Sequence, residues 1–498
     1  MVRFITVYLF LIFHILNAES GKKGIPKKVP SAEKKEKPVL PEKKETPESD
    51  AQEEKSSSEK KEPENADDLK EKTSSKETEA SEKPSQENTV MNPKDVERMI
   101  QSEMIKASKT APLQFGVFGD VYYSMNMNYP KAAELNYSTQ AVRNSEFNIN
   151  LAFIDAKLST EKVRGRLAFQ YGTSVNANYT PELNQRYSNQ LSVRNIQEAY
   201  AGIKIGKKTW VDAGIYFGNI GFESWISGNN WLYTRALVLD YVPYYSTGVR
   251  ISHEVTDKLN VQFHLMNGWS NITDNNRNKA VGMQVSYKMR KDLLLTYNNF
   301  IGNEIATSSR TDSAGQTYVN SKGNERQTRY YHNFIAHWDM NEKFSLAGSF
   351  DVGFVRNADS LAYSPSVPQD INKDYPYLRK AAGGSFKQWY NGTVWLTYKF
   401  IEDWRISGRL ERYIDAEQAN VPIVKQSEVF TKRPGKQPNG FQVSAVSVCL
   451  DYIPSEYGLM RVEAKYMKSA DPIFEYRDSG DLSRHEKKLI FNVTLKHH

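Results

Sequence analysis

The chain has 498 residues, a formal net charge of +7 and a single cysteine, Cys449. One thiol excludes a disulfide framework, a cysteine zinc cluster and a Cys-x-x-Cys redox pair. No run of 18 apolar residues exists, so a helical membrane protein is excluded too. The averages of 39% hydrophobic and 12% aromatic residues hide a partition. Glu19 to Val90 contains no Phe, Trp, Tyr, His or Arg, and carries 16 Lys against 19 Asp plus Glu. Nearly all aromatic side chains come after Leu113.

Arg3 precedes an apolar run from Phe4 to Leu16, and Asn17-Ala18 follows it. One positive charge, a short apolar core and a small residue at the break predict a secretory signal peptide over 1–18, cleaved after Ala18. The run is too short to span a bilayer comfortably. Residues 19–92 offer little apolar surface against an ordering cost of about 1–2 kcal/mol per residue, which predicts a disordered Lys/Glu/Ser/Pro-rich tail. It reads as a tether, or as a contact with the peptidoglycan. Asn92 and Pro93 can start a helix. Val96, Met99, Ile100 and Met104 then share one face, so a short amphipathic helix is expected over 93–110.

From Leu113 the periodicity becomes two. Leu113, Phe115, Val117, Val121 and Tyr123 alternate with smaller or polar residues, which is a strand with one apolar face. The pattern recurs at Val163–Tyr171, Leu259–Leu265, Val281–Met289 and Trp404–Glu411, and the ladder Leu489, Phe491, Val493, Leu495 ends the chain. Sixteen such segments are expected. Their connections alternate in length. Short ones fall near Ser159–Lys162, Gly206–Lys208, Thr256–Lys258, Met289–Asp292, Met340–Lys343, Phe400–Asp403 and Ile453–Tyr457. Long polar ones fall between them. Strict alternation is the mark of an antiparallel up-and-down transmembrane β-barrel, here over 111–498, with tight periplasmic turns and long outer loops. A closed sheet is one of the two ways to satisfy backbone groups in lipid. Tyr122, Tyr123, Trp210, Trp269, Trp338, Trp389, Trp395 and Trp404 fit the interfacial aromatic belts of such a barrel. An even strand count places both chain ends, and the tail, in the periplasm. Sixteen strands enclose a water-filled channel.

Four segments carry a family likeness: Phe115-Gly-Val-Phe-Gly-Asp-Val-Tyr-Tyr123, Phe147-Asn-Ile-Asn-Leu-Ala-Phe153, Ile196-Gln-Glu-Ala-Tyr200 and Gly214-Ile-Tyr-Phe-Gly-Asn-Ile-Gly-Phe-Glu223. Through them, residues 113–495 resemble the Gram-negative outer-membrane porins. The likeness is nearest to the OmpL-like β-barrel porins and more distant to the phosphate-selective porin group. The resemblance implies a passive channel in the bacterial outer membrane, assembled as an oligomer, for which a homotrimer is one form. One departure stands out. Such barrels usually end on an aromatic residue, whereas Lys496-His497-His498 follows the last ladder here. Either assembly uses an atypical signal, or the last strand sits in another register.

Placing the less apolar face of each strand inward gives an inventory of lumen charges with a modest positive excess. Arg164, Arg166, Arg250, Arg405, Arg409 and Glu411 are the pore-lining candidates. Rings of Arg or Lys favour anions. The competing reading is cross-strand pairs that stiffen the wall. The connection Gly218–Tyr245 is unusually apolar, with Phe222, Trp225, Ile226, Trp231, Leu232, Leu237, Val238 and Leu239. It is expected either to fold into the barrel, with Glu223, Arg235 and Asp240 at the eyelet, or to pack on other loops or a second protomer.

Signs of other chemistry are weak. Gly206-Lys207-Lys208-Thr209 lacks the partner glycine of a phosphate loop and reads as a charged turn. His253, His264, His332 and His337 show no metal-ligand spacing. No nucleophile elbow or nucleophile–base pair is present, so neither an enzyme nor a cofactor or metal is expected. The expected function is passive diffusion of small hydrophilic solutes, with weak anion preference and no nucleic-acid partner. The alternative is a surface adhesin or receptor whose loops bind ligands while the barrel serves as a pedestal.

Overall fold

The structure, a computed structural model, describes residues 112–179, 193–274, 276, 278–304, 309–311, 317–319, 328–356, 386–421, 439–477 and 481–497. The expected signal peptide, tail and amphipathic helix over 1–110 lie outside the described residues.

Sixteen antiparallel strands close into one barrel, each paired with the next in the chain and the last with the first. They are β1 (Leu113–Asn126), β2 (Phe147–Ser159), β3 (Val163–Tyr171), β4 (Ile196–Lys204), β5 (Thr209–Phe217), β6 (Tyr245–Glu254), β7 (Leu259–Met266) and β8 (Ala280–Arg290). The second half comprises β9 (Leu293–Asn303), β10 (Thr328–Asp339), β11 (Phe344–Arg356), β12 (Phe386–Ile401), β13 (Trp404–Asp415), β14 (Phe441–Ser455), β15 (Gly458–Ser469) and β16 (His485–His497). Closure leaves no unpaired edge, which a sheet in hydrocarbon requires.

The period-two pattern explains which face meets which medium. On β1, Phe115, Val117 and Val121 project outward and are exposed, while Phe118, Asp120 and Tyr122 project inward and are buried. The same alternation on β7 exposes Phe263 and Leu265 and buries Gln262 and His264. A slip of one residue would put Asp120 in lipid and Phe115 in the lumen, so the register is strongly determined.

Tight turns join β2–β3, β4–β5, β6–β7, β8–β9, β10–β11, β12–β13 and β14–β15, and long connections join the other pairs. Local hydrogen bonds set the tight turns. Thr160 Oγ1 accepts from the Val163 N–H at 2.9 Å, and Asn341 Oδ1 accepts from the Lys343 and Phe344 N–H groups at 3.0 Å each. The Gly206–Lys208 segment lies in such a turn, after β4.

The last strand is in the expected register. Phe491, Val493 and Leu495 pair with Tyr123, Val121 and Gly119 of β1 and keep their side chains exposed on the outer face. Lys496 and His497, which follow that ladder, continue the pairing with Phe118 and Val117 of β1.

One expectation needs correction. Tyr122, Trp210, Trp389 and Trp395 do not belong to the outer aromatic belts; they are buried on the inward face. A buried indole N–H or phenol needs a partner, and inside the barrel Trp395 Nε1 finds Glu223 at 2.9 Å and Tyr122 OH meets Thr173 Oγ1 at 3.2 Å.

Trp389 also rests on a missing side chain. A Cβ at Gly353 of β11 would lie 2.0 Å from Trp389 Cζ2. Gly353→Val should displace the indole and lower barrel stability by about 1–3 kcal/mol, the usual range for overpacking. The check is the temperature at which the heat-modifiable band shift is lost on a gel. An unchanged transition would mean the Trp389 contact is dispensable.

Candidate functional site

The long connection after β5, residues 218–244, lies inside the barrel. Its attachments follow its own sequence. Asn219 Nδ2 donates to Asn298 on β9 at 3.2 Å, and its carbonyl accepts from Gln284 on β8 at 3.3 Å. The Gly221 N–H donates to Asn333 on β10 at 3.2 Å. Glu223 accepts from Trp395 on β12 at 2.9 Å and from Arg409 on β13 at 3.0 Å. Trp225 Nε1 donates to Gln170 on β3 at 3.0 Å. Ser227 Oγ donates to Asp120 on β1 at 2.5 Å. The carbonyls of Ser227 and Asn230 accept from Arg461 on β15 at 2.7 and 2.5 Å. A segment tied to strands from β1 to β15 around a closed wall can only lie within it.

The physical logic has two parts. Phe222, Trp225, Ile226, Leu232, Leu237, Val238 and Leu239 are each at most 3% exposed, so the connection carries its own small apolar core. Gly221, at φ 92°, makes the turn that packs against Leu239; a side chain there would be strained. The rest of the segment is irregular apart from two short 3₁₀ turns, Ser227–Asn229 and Leu237–Tyr241. Irregular buried backbone has no internal ladder, so its polar groups need partners elsewhere. The wall supplies them. Glu463 accepts the N–H groups of Tyr233 and Thr234 at 2.8 Å each, and Glu411 accepts that of Leu237 at 2.5 Å. Arg409 donates to the Thr234 carbonyl at 2.5 Å.

The candidates sort into three groups, with Arg405 apart from them. Glu223, Arg409 and Glu411 come together: Arg409 lies 3.0 Å from Glu223 and 3.1 Å from Glu411, all buried. Arg235 and Asp240 form a separate pair at 3.7 Å, with Arg235 over the Tyr244 ring at 3.8 Å and Thr139 bridging the two side chains. Arg164, Arg166 and Arg250 lie on β3 and β6. Arg164 makes a two-pronged contact with Asp212 at 2.7 Å on each prong, and Arg250 Nε reaches the same carboxylate at 2.9 Å. Arg166 bridges Asp155 at 2.8 Å and Glu198 at 2.5 Å. Arg405 is held by Asp451 at 2.5 Å. Each of the pore-lining arginines therefore has a carboxylate partner.

Burial pushes the Glu223 carboxyl above its usual range, against the opposing pull of Arg409 and the Ala236 N–H. Burial raises Asp240 likewise, with Arg235 opposing. Asp120, Trp395 and Gln170 were missed as anchors. Their signal was available in part, since Asp120 and Gln170 are polar residues at inward positions of otherwise clear strands.

A closed 16-strand barrel, with an apolar exterior and a charged interior, defines an outer-membrane barrel of the porin class. The family model described as putative beta-barrel porin-2, OmpL-like, matches residues 112–493, and the chain belongs to that family. No curated protein sequence matches it. Similar solved structures include Pseudomonas putida OprB, at 11% identity, covering 79% of this chain and 95% of that one, with a TM-score of 0.47. Vibrio cholerae OmpT is 9% identical over 77% of this chain and 97% of that one, TM-score 0.44. Salmonella typhi OmpF is 12% identical over 77% and 97%, TM-score 0.43.

Proposed function

We propose that this outer-membrane barrel is a porin for passive diffusion of small hydrophilic solutes, with weak preference for anions. The observation that carries the reading is the inserted 218–244 segment, fixed to the wall by charged and amide side chains within a closed barrel. In this role the segment narrows the lumen. Glu223, Arg235 and Asp240 sit on it, and Arg164, Arg166, Arg250, Arg405, Arg409 and Glu411 line the wall around the path. We infer that the short-turn end faces the periplasm, as in other barrels of this kind, with the N-terminal tail on that side and peptidoglycan as its partner. Cleavage after Ala18 and assembly as a homotrimer complete the reading.

A second reading has its own support. Many inward side chains, including Asp120, Asn298, Asp351 and Glu463, have no solvent exposure. A lumen so filled favours a pedestal whose loops bind ligands. Planar-bilayer recording of purified, heat-modifiable protein separates the two. Stable ohmic steps are expected of the porin; their absence at micromolar protein would leave the receptor reading. A KCl gradient then gives the sign of selectivity, and a cation-preferring reversal potential would reject the anion assignment.

A further inference from the structure

The pore-lining arginines named above are matched by carboxylates, yet one set of inward lysines is not. Lys204, Lys288, Lys399 and Lys496 each occupy the last or nearly last inward position before the short-turn end of a strand. None of the four has an ion-pair partner among the described residues. Their strands are β4, β8, β12 and β16. In a closed barrel of sixteen strands, every fourth strand is about a quarter turn further round, so the four lysines are distributed around one rim.

The inward direction is supported by their neighbours. Lys204 lies 5.7 Å from the ring of the buried inward Trp210. Lys399 is paired in register with Arg405, and Lys496 has Arg405, Arg461 and the acid Glu456 as charged neighbours. Lys288 is in register with inward Leu294. Acids share this rim too: Glu254 on β6, Asp339 on β10 and Glu456 in the turn between β14 and β15, the last a single negative charge beside Lys496. Asp339 is engaged by His337 at 3.2 Å and by Ser345.

We propose that this rim is the charge-selecting element of the channel: a lysine collar that concentrates anions at the periplasmic mouth, while the inserted segment limits size. The proposal rests on the porin reading above. It assigns selectivity to residues remote from the constriction, because the charges at the constriction are consumed in holding the segment.

Scale decides how the collar works. Strands spaced about 4.8 Å apart and tilted by about 40° give a backbone circle roughly 30 Å across. Lysines reaching inward from it leave gaps too wide for one small anion to touch two of them. The collar therefore acts through its field rather than by chelation. Such a field weakens with salt, since the Debye length falls from about 10 Å at 0.1 M to about 3 Å at 1 M.

The test is the reversal potential of the full barrel in planar bilayers under KCl gradients centred on 0.1 M and on 1 M. Wild type should prefer chloride, and more so at low salt. The quadruple Lys→Gln variant should lose at least about half of the chloride-to-potassium permeability ratio at 0.1 M, with little change at 1 M. A quadruple Lys→Arg variant should keep the wild-type ratio, which shows that charge and not folding is read. If the Lys→Gln channels conduct with the wild-type ratio at 0.1 M, the collar is wrong and the porin reading stands. If wild type gives no conductance at all, the porin reading fails and the collar with it.

Discussion

Replacing residues 222–239 by a short Gly/Ser linker should raise single-channel conductance several-fold while leaving the barrel assembled. The rise follows from geometry, because sixteen strands without a filling enclose an aqueous channel. Survival of the barrel follows from solvation. The segment's removal strands Asp120, Arg409, Glu411, Arg461 and Glu463 without their loop partners. In a sealed protein core such orphaned charges would cost several kcal/mol each. Here the volume vacated by the loop admits water, which rehydrates them. Arg461 and Asp451 also keep each other at 3.2 Å, and Arg409 keeps Glu411. The strand ladders are untouched. Conductance equal to wild type, in protein that retains its heat-modifiable shift, would mean that the segment does not limit the path.

The barrel was legible in the sequence because two signals reinforce each other. A lipid-facing strand must be apolar at every second position, and Val281, Met283, Val285 and Tyr287 record that rule directly. The alternation of tight and long connections then gives direction and closure. The 218–244 connection was legible only as an anomaly. Phe222, Trp225 and Leu237 are too apolar for an exposed loop, but composition does not choose between the lumen and a neighbouring protomer. That choice is made by contacts at sequence separations above a hundred residues, such as Tyr233 with Glu463 or Glu223 with Arg409. The function of the inward charges was hidden for the same reason. Periodicity puts Arg405 and Arg409 on one face, yet Arg405 chiefly holds Asp451 and reaches the loop only at the Asn230 carbonyl, whereas Arg409 holds the loop through Glu223 and Thr234. The aromatic side chains misled because a strand end supplies Trp to either face. Trp389 and Trp395 point inward with a polar partner or a vacant glycine position to receive them, and neither feature is local in sequence.

Arg409→Ala is expected to be the most disruptive single substitution in the lumen. Arg409 is wholly buried and is shared by Glu223, Glu411, the Thr234 carbonyl and the hydroxyl groups of Thr234 and Ser447. Its loss leaves Glu223 and Glu411 buried, with the more distant Lys465, 3.9 Å from Glu411, as the remaining ion-pair cation among the described residues. Removing one partner of a buried pair typically costs about 3–5 kcal/mol. That cost falls on the seat of the segment, because the strands remain fully laddered. The segment should therefore leave its site, giving larger and noisier conductance steps and new protease cleavage within 222–239. The sign of the pH effect is determined by Glu223. Burial already holds its carboxyl above the usual range, and a raised carboxyl stabilises the seated form at low pH and ceases to do so as pH rises through the folded-state value. Without Arg409 the bias grows, so acidification should reseat the segment and reduce cleavage, and alkaline conditions should release it. Adding Glu223→Gln should recover much of the wild-type behaviour at neutral pH, since a neutral amide needs no cation. A variant as protease-resistant as wild type across that pH range would show that the apolar packing of Phe222, Trp225 and Leu237 alone retains the segment.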